Sequence, residues 1–237
     1  MNFIRYQGLA LAGLVGLTAI SGCALRSQAE RLVPAPAADA WQAVNLPGKT
    51  PTQYAWTVKD GRVAIVAHAD NSASMWRRKL PAPPTRLSEV EFSWWVTATI
   101  EGASVADADR EDAPARVLFA FDGDSTRLSA RNRMMFELAQ ALTGEAPPYA
   151  TLMYVWDTTA PVGSVIPNPR TDRVRKIVVD SGNAHVGQWR DHRRDLVADF
   201  RRAFGEEPGP LLAIAVMTDS DNTHSKATAW YGPVVLR

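Results

Sequence analysis

Asp219, Asp221, Asn222, Thr223 and His224 stand within six positions of one another in MTDSDNTHSKATAWYG, Met217 to Gly232. Oxygen-bearing side chains this close together are what a hard cation such as calcium takes as ligands. The EF-hand template fails here. Counted from Asp219, Asp221 fills the third position, but Thr223, His224 and Trp230 stand where the template wants an oxygen ligand, a glycine and a glutamate. Asp219, Asp221 and Asn222 remain as calcium candidates. The same residue types also make turns, because their short side chains bond nearby backbone groups. The stretch lies between LLAIAVM and KATAWYG. The first expectation is therefore a turn between two strands, with a ligand-contacting loop and a calcium site as the alternatives.

Other chemistry is sparser. Hydrolysis of a glycosidic bond needs two carboxyl groups about 5–10 Å apart and imposes no sequence spacing. Glu91, Asp112, Asp122 and Asp124 are candidates in principle; carboxylates in strands and turns are the plainer reading. The motifs G-x-S-x-G, G-x-x-x-x-G-K, G-x-G-x-x-G and H-E-x-x-H are absent. The four histidines, His68, His185, His192 and His224, show no metal-ligand spacing. The single cysteine, Cys23, lies near the start, which excludes a thiol nucleophile from the rest of the chain.

The chain begins MNFIRYQGLALAGLVGLTAISGC. Arg5 precedes an apolar run from Gly8 to Ile20, and small residues follow. This is the layout of a secretory signal. The run has 13 residues, short of the ~20 of a spanning helix. Ile20-Ser21-Gly22-Cys23 resembles a lipobox, which predicts a lipidated Cys23 and explains why an exported protein carries one leftover thiol. Residues 1–22 then form a lipoprotein signal peptide, and acyl chains on Cys23 anchor the protein to a membrane without spanning it. Ala24 after the cysteine resembles proteins sorted to the outer membrane, so the expected location is the cell envelope, on the periplasmic face of the outer membrane. Lys and Arg total 26 and Asp and Glu total 25, with no block of like charge. That balance argues against nucleic-acid binding.

Residues 23–40 are small, charged and proline-containing, and are expected to be the lipidated N-terminus and a tether. From Trp41 to Arg237 the chain reads as one domain. Short apolar or alternating runs recur at 52–58, 62–68, 73–79, 88–100, 115–121, 151–156, 174–179, 211–218 and 226–236, and Lys59-Asp60-Gly61 between the first two predicts a hairpin. Two segments have helical spacing: 131–144, with Met134, Met135, Leu138 and Leu142, the Met pair read as core packing, and 190–205, with Leu196, Phe200 and Phe204; both are expected to pack on the outside of the sandwich. The expected fold class is all-β with minor helices, an antiparallel jelly-roll-like β-sandwich of about nine strands plus two packed helices.

Strand alternation sorts the candidate binding residues. In EVEFSWWVT, Phe92, Trp94 and Val96 share one face, and Glu91, Ser93, Trp95 and Thr97 the other. In RVLFAFD, Val117, Phe119 and Phe121 form one row, and Arg116, Leu118, Ala120 and Asp122 the second. If the second row shares a face with Trp95, then Trp95, Glu91, Arg116 and Asp122, joined by either Arg77 or Arg78, make a mixed aromatic and charged patch. Such a patch suits an anionic or hydroxylated ligand; an added loop or helix covering Trp95 is the alternative.

The blocks SASMWRR, REDAPARVLFAFDGD, TLMYVWD with PVGSVIPNPRTDRV, SGNAHVGQWRDHRRDLVADFRRAFGEEPG and AVMTDSDNTHSKATAWYG occur in the order of a bacterial family catalogued as domain of unknown function 3047, which the chain resembles from about Trp41 to Arg237. The resemblance implies an exported or lipid-anchored protein with a jelly-roll-like sandwich similar to carbohydrate-binding modules. It carries over no catalytic residues. Where members of the family have a paired Asp, this chain has Glu111-Asp112. The expected function is a membrane-anchored, non-catalytic module binding a glycan or other envelope component, with no cofactor unless calcium. The alternatives are a glycoside hydrolase or lyase, and an assembly lipoprotein with a protein partner.

Overall fold

The structure, a computed structural model, describes residues 31–35, 40–84 and 87–237. The leader 1–22, Cys23 and most of the expected tether lie outside the described residues. Along the chain run β1 (Trp41–Asn45), β2 (Gln53–Lys59), β3 (Arg62–Asp70), β4 (Ala73–Lys79), β5 (Glu89–Val96), β6 (Ala113–Phe121), α1 (Ala130–Thr143), β7 (Ala150–Asp157), β8 (Val165–Pro167), β9 (Val174–Ser181), β10 (Arg190–Asp195), α2 (Leu196–Phe204), β11 (Leu211–Asp219), β12 (Lys226–Tyr231) and β13 (Val235–Leu236). The fold is mostly β. One sheet has the order β1-β4-β11-β6-β7-β9-β8; the other has the order β10-β5-β12-β3-β2, with β13 also paired to β5. All pairings are antiparallel except β7 with β9, so the first sheet is mixed.

Residues of both sheets share one core. Phe92 and Trp94 of β5 meet Phe119 of β6, Tyr154 of β7 and Val216 of β11, and Phe92 stacks on Tyr154 at 5.3 Å between centroids. Burying each such side chain contributes about 1.5–3 kcal/mol. The β2–β3 hairpin forms as expected. Lys59 pairs with Arg62, and Asp60 (φ 50°) and Gly61 (φ 78°) both take the left-handed conformation that suits a two-residue turn to the twist of its strands.

Several expectations change. Thirteen strands replace the expected nine among the described residues. Residues 190–195, expected to open a helix, form β10, because α2 starts only after Asp195, whose side chain accepts from the Ala198 N–H at 2.8 Å. The apolar triplet was placed correctly: Leu196 and Phe200 are buried, and Phe204 stacks on Phe200. In α1, by contrast, Met134, Leu138 and Leu142 are 65%, 60% and 66% exposed. Of the Met pair expected in the core, Met134 faces outward and Met135 is half-buried. The stretch 217–232 turns between two strands as expected, at 221–224, but not within one sheet. β11 belongs to the first sheet and β12 to the second, so Ser220–Ser225 crosses between sheets. A second crossing, Asn71–Ser72 from β3 to β4, lies against it: the Asn71 N–H donates to the Ser225 carbonyl at 2.9 Å, and the Ser220 N–H donates to the Ser72 carbonyl at 3.0 Å. Finally, Arg31–Val33, inside the expected tether, runs along the free edge of β2, with the Val33 N–H donating to the Trp56 carbonyl at 2.9 Å.

Candidate functional site

The patch expected around Trp95 is divided by the fold. Trp95 and Glu91 lie on β5, facing away from the core on the six-stranded sheet. Arg116 on β6 and Arg77 on β4 face away from the core on the other sheet. Alternation on β5 and β6 was read correctly; which strands share a sheet depends on long-range pairing that no local pattern encodes. Arg116 is buried, its guanidinium donating to Asp219 at 2.8 and 3.0 Å and to the Glu111 carbonyl at 2.7 Å. Arg78 lies on the opposite side of β4 from Arg77, over the Trp41 ring. Asp122 and Arg77 share a groove on the seven-stranded sheet. Thus two of the six candidates remain together on the six-stranded sheet, and the other four do not join them.

Around Trp95 the structure assembles a different set. The register of β5 and β12 places Trp230 opposite Trp95, and the two indoles meet edge to face at 4.8 Å. Both are half-buried. Lys59 at the β2–β3 hairpin holds its ammonium 4.2 Å from the Trp95 ring and 5.0 Å from the Trp230 ring. At an exposed site such a contact is worth about 0.5–1 kcal/mol, little enough for a ligand to displace. Arg62, the residue paired with Lys59, lies 5.0 Å over Trp189, just before β10, and donates to Asp191 at 2.6 Å. A depression of about 580 Å³ adjoins these residues, lined by Arg62, Glu91, Ser93, Asp191, Arg193 and Pro233. Arg237 donates to both Glu91 oxygens at 3.0 and 2.9 Å and holds that carboxyl below its usual range. His68 faces the edge of Trp230 at 6.5 Å. Trp230 was within reach of the same face reading, since Thr228 and Trp230 alternate with the buried Ala229. Trp189, Lys59 and Arg62 had no local signal.

This surface offers flat apolar ring area beside polar and charged edges. Such a combination binds a sugar or another hydroxylated ring by stacking plus hydrogen bonds.

The calcium candidates belong to a buried charge cluster. Oxygens of Asp112, Asp219 and Asp221 lie within 4.8 Å of one another. Protein groups already engage each of them. Asp219 takes Arg116 and the Ala113 N–H. Asp221 takes Lys49. Asp112 accepts from the Asn222 N–H at 3.2 Å, the Thr223 N–H at 2.7 Å and the Thr223 hydroxyl at 2.6 Å. Asn222 turns its side-chain amide to the Ala108 carbonyl. Burial pushes the Asp219 carboxyl up to about 6, against the pull of Arg116 and with Asp112 and Glu111 adding to the rise. Lys176 completes the cluster, fully buried and 2.5 Å from Glu111. The Glu111-Asp112 pair thus has two separate jobs, one partnering Lys176 and the other fastening the inter-sheet crossing.

The carboxylates considered for hydrolysis are likewise occupied one by one: Glu91 by Arg237, Asp112 by the crossing, Asp124 by the backbone and hydroxyl of Thr126. Asp122 accepts from the Gly123 N–H. Glu91 lies on β5 and Asp112 just before β6, in the other sheet.

Among solved structures, the chain is similar to the family 11 carbohydrate-binding module of the cellulosomal cellulase Lic26A-Cel5E of Clostridium thermocellum. That similarity has 9% identity, covers 88% of this chain and 94% of that one, and gives a TM-score of 0.43. A Clostridium thermocellum family 11 module in complex with a β-1,3-1,4-mixed-linked tetrasaccharide gives 11% identity, 87% and 94% coverage, and 0.42. The xyloglucanase domain of NopAA, a type three effector from Sinorhizobium fredii, in complex with cellobiose gives 10%, 83% and 99%, and 0.38. At this level neither the ligands nor the activities of those proteins transfer to this chain. No curated protein matches it. The family model described as protein of unknown function, DUF3047, matches residues 39–235, and the chain belongs to that family.

Proposed function

We propose that this protein is a non-catalytic glycan-binding module of the cell envelope, a jelly-roll-like β-sandwich whose site is the tryptophan face of its six-stranded sheet. The observation that carries the reading is the Trp95–Trp230 pair: two large indoles in contact on an outward sheet face, with the Lys59 ammonium over both rings. A fold that needed these rings only for its core would turn them inward, as it does Trp94 and Trp156. A pyranose ring would lie on the indoles, and Arg62, Asp191 and Glu91 would meet its hydroxyls. Tethering through a lipidated Cys23 on the periplasmic face of the outer membrane would present this face to envelope glycans. The support for that anchor is the leader and its lipobox alone.

A glycan array probed with residues 24–237 tests the binding reading. Retention of at least one glycan class, with quenching of tryptophan fluorescence on titration, is the expected result. Absence of binding to every glycan would overturn it. For the anchor, the mass of the protein recovered from membranes should exceed that of residues 23–237 by acyl groups, and Cys23→Ser should release it from the membrane.

A further inference from the structure

The seven-stranded sheet carries a second, larger cavity. Helix α1 bridges its outward face. At one end the buried Asn132 holds Asp172 and Thr171. At the other, Glu145, just past the helix, receives Arg77 at 2.9 Å and Lys79 at 2.7 Å from β4. Between these two latches the helix does not settle onto the sheet. It leaves a groove of about 710 Å³, inside the roughly 300–1,000 Å³ range of small-molecule sites. The floor is Leu118, Ala120 and Ala215 with Met75 and Met153, and the roof is Met135, Phe136 and Ala139 of α1. Both walls are apolar, and alanines occupy the floor where larger side chains would close the space. An apolar void of this size forgoes dispersion contacts on both walls. Methionines on floor and roof can reshape to fit a flexible chain.

One end of the groove is charged. Arg77 and Lys79 both pair with the single carboxylate of Glu145, while Asp122 in the same groove accepts from the Gly123 N–H. Among the described residues, no acceptor meets the buried Arg77 Nε. An acceptor is missing there, and an anionic head would supply it. We propose that this groove binds an amphiphile with one acyl chain and an anionic head: the chain lies between α1 and the sheet, and the head replaces Glu145 on Arg77 and Lys79. Sugar rings fit this site poorly, because its walls offer few polar groups and its ends are latched. The site is separate from the tryptophan face, on the other sheet, so each can fail without the other.

The test uses 11-(dansylamino)undecanoic acid with residues 24–237, which hold every described strand, both helices and the core. Dansyl emission should rise on binding. Palmitate and lysophosphatidylglycerol, each added separately, should displace the probe; the tighter competitor tells a carboxylate head from a phosphate head. Ala120→Phe from the floor should weaken probe binding about tenfold or more. Ala139→Trp from the half-buried roof should do the same, which keeps the test decisive if the floor variant fails to fold. Arg77→Ala with Lys79→Ala should weaken palmitate but not a cationic alkyl amphiphile, and Glu145→Gln should tighten palmitate by freeing both cations. Trp95→Ala should change nothing. No rise in emission with wild type, a rise that survives Ala139→Trp in a folded protein, displacement by oligosaccharides, or equal competition by cationic and anionic amphiphiles would overturn the proposal.

Discussion

Replacing Asp112 by alanine probes the joint between the sheets. The side chain is almost fully buried and accepts three hydrogen bonds, from the Asn222 and Thr223 backbone N–H groups and from the Thr223 hydroxyl. Hydrogen bonds to a charged acceptor are worth about 1.5–3 kcal/mol each, and a donor left unsatisfied in the interior costs about 1–3 kcal/mol. Water can reach the half-buried donors of Asn222 and Thr223, so the full sum does not apply. Removing Asp112 also relieves repulsion on Asp219, which offsets part of the loss. The balance is a destabilisation of about 2–4 kcal/mol. For a domain of this size, that lowers the melting temperature by roughly 5–15 °C. Thermal unfolding followed by circular dichroism, with calcium and with a chelator, measures it. Because Arg116 and Lys49 already hold Asp219 and Asp221, wild type should melt alike in both conditions. A variant melting within a degree of wild type would refute the structural role. A wild type stabilised by calcium would make the cluster a metal site.

Stability should vary with pH in two opposed windows. The Asp219 carboxyl is raised to about 6 by burial, so its contribution is present below pH ~4 and lost as pH rises through 6. In Asp180, burial is outweighed by hydrogen bonds from His192 and Trp94 and by Arg190, and the carboxyl is held below its usual range. Its contribution is present above pH ~4 and lost as pH falls further. Melting temperature should therefore rise from pH 7 to 5 and fall below 4, and Asp219→Asn should flatten the first limb; a monotonic profile for wild type would contradict this. Gly209→Ala would put a Cβ 2.2 Å from the Asp122 carbonyl oxygen, a backbone clash costing about 1–3 kcal/mol. Gly48→Ala meets nothing within 4 Å at φ 73° and should cost only the left-handed strain, about 1–2 kcal/mol; urea titration should rank the two in that order or show them equal.

Local chemistry made much of the fold readable. The nine expected runs all contain strands, because each alternates or stays apolar along its length, and Asp60-Gly61 fixed one turn. β10 escaped because its inward side chains are Arg190, His192 and Arg194, which pair with Asp180 and Asp199. A charged strand facing charged partners has no apolar period to read. The helix at 130–143 was found by its spacing, but the face it buries was not. Met134, Leu138 and Leu142 form a regular row that faces outward; of the Met pair only Met135 turns inward, beside Phe136, toward the groove over the sheet. The site was half legible for a similar reason. The outward position of Trp95 follows from period two. Its partners Trp230, Lys59 and Trp189 come from three other segments, 36 to 135 positions away in sequence, and only strand pairing brings them together. The buried pairing of Arg116 with Asp219 was hidden in the same way.

Glycan binding by this protein stands or falls with Trp95 and Trp230. Isothermal titration of the strongest glycan from the array against wild type, Trp95→Ala and Trp230→Ala, with Ala139→Trp as the control on the opposite sheet, tests it most directly. Each tryptophan variant should lose about 1–2 kcal/mol of binding, roughly tenfold in affinity, while the control binds as wild type does. A glycan bound equally well by wild type and both tryptophan variants, each folded by circular dichroism, would contradict the claim.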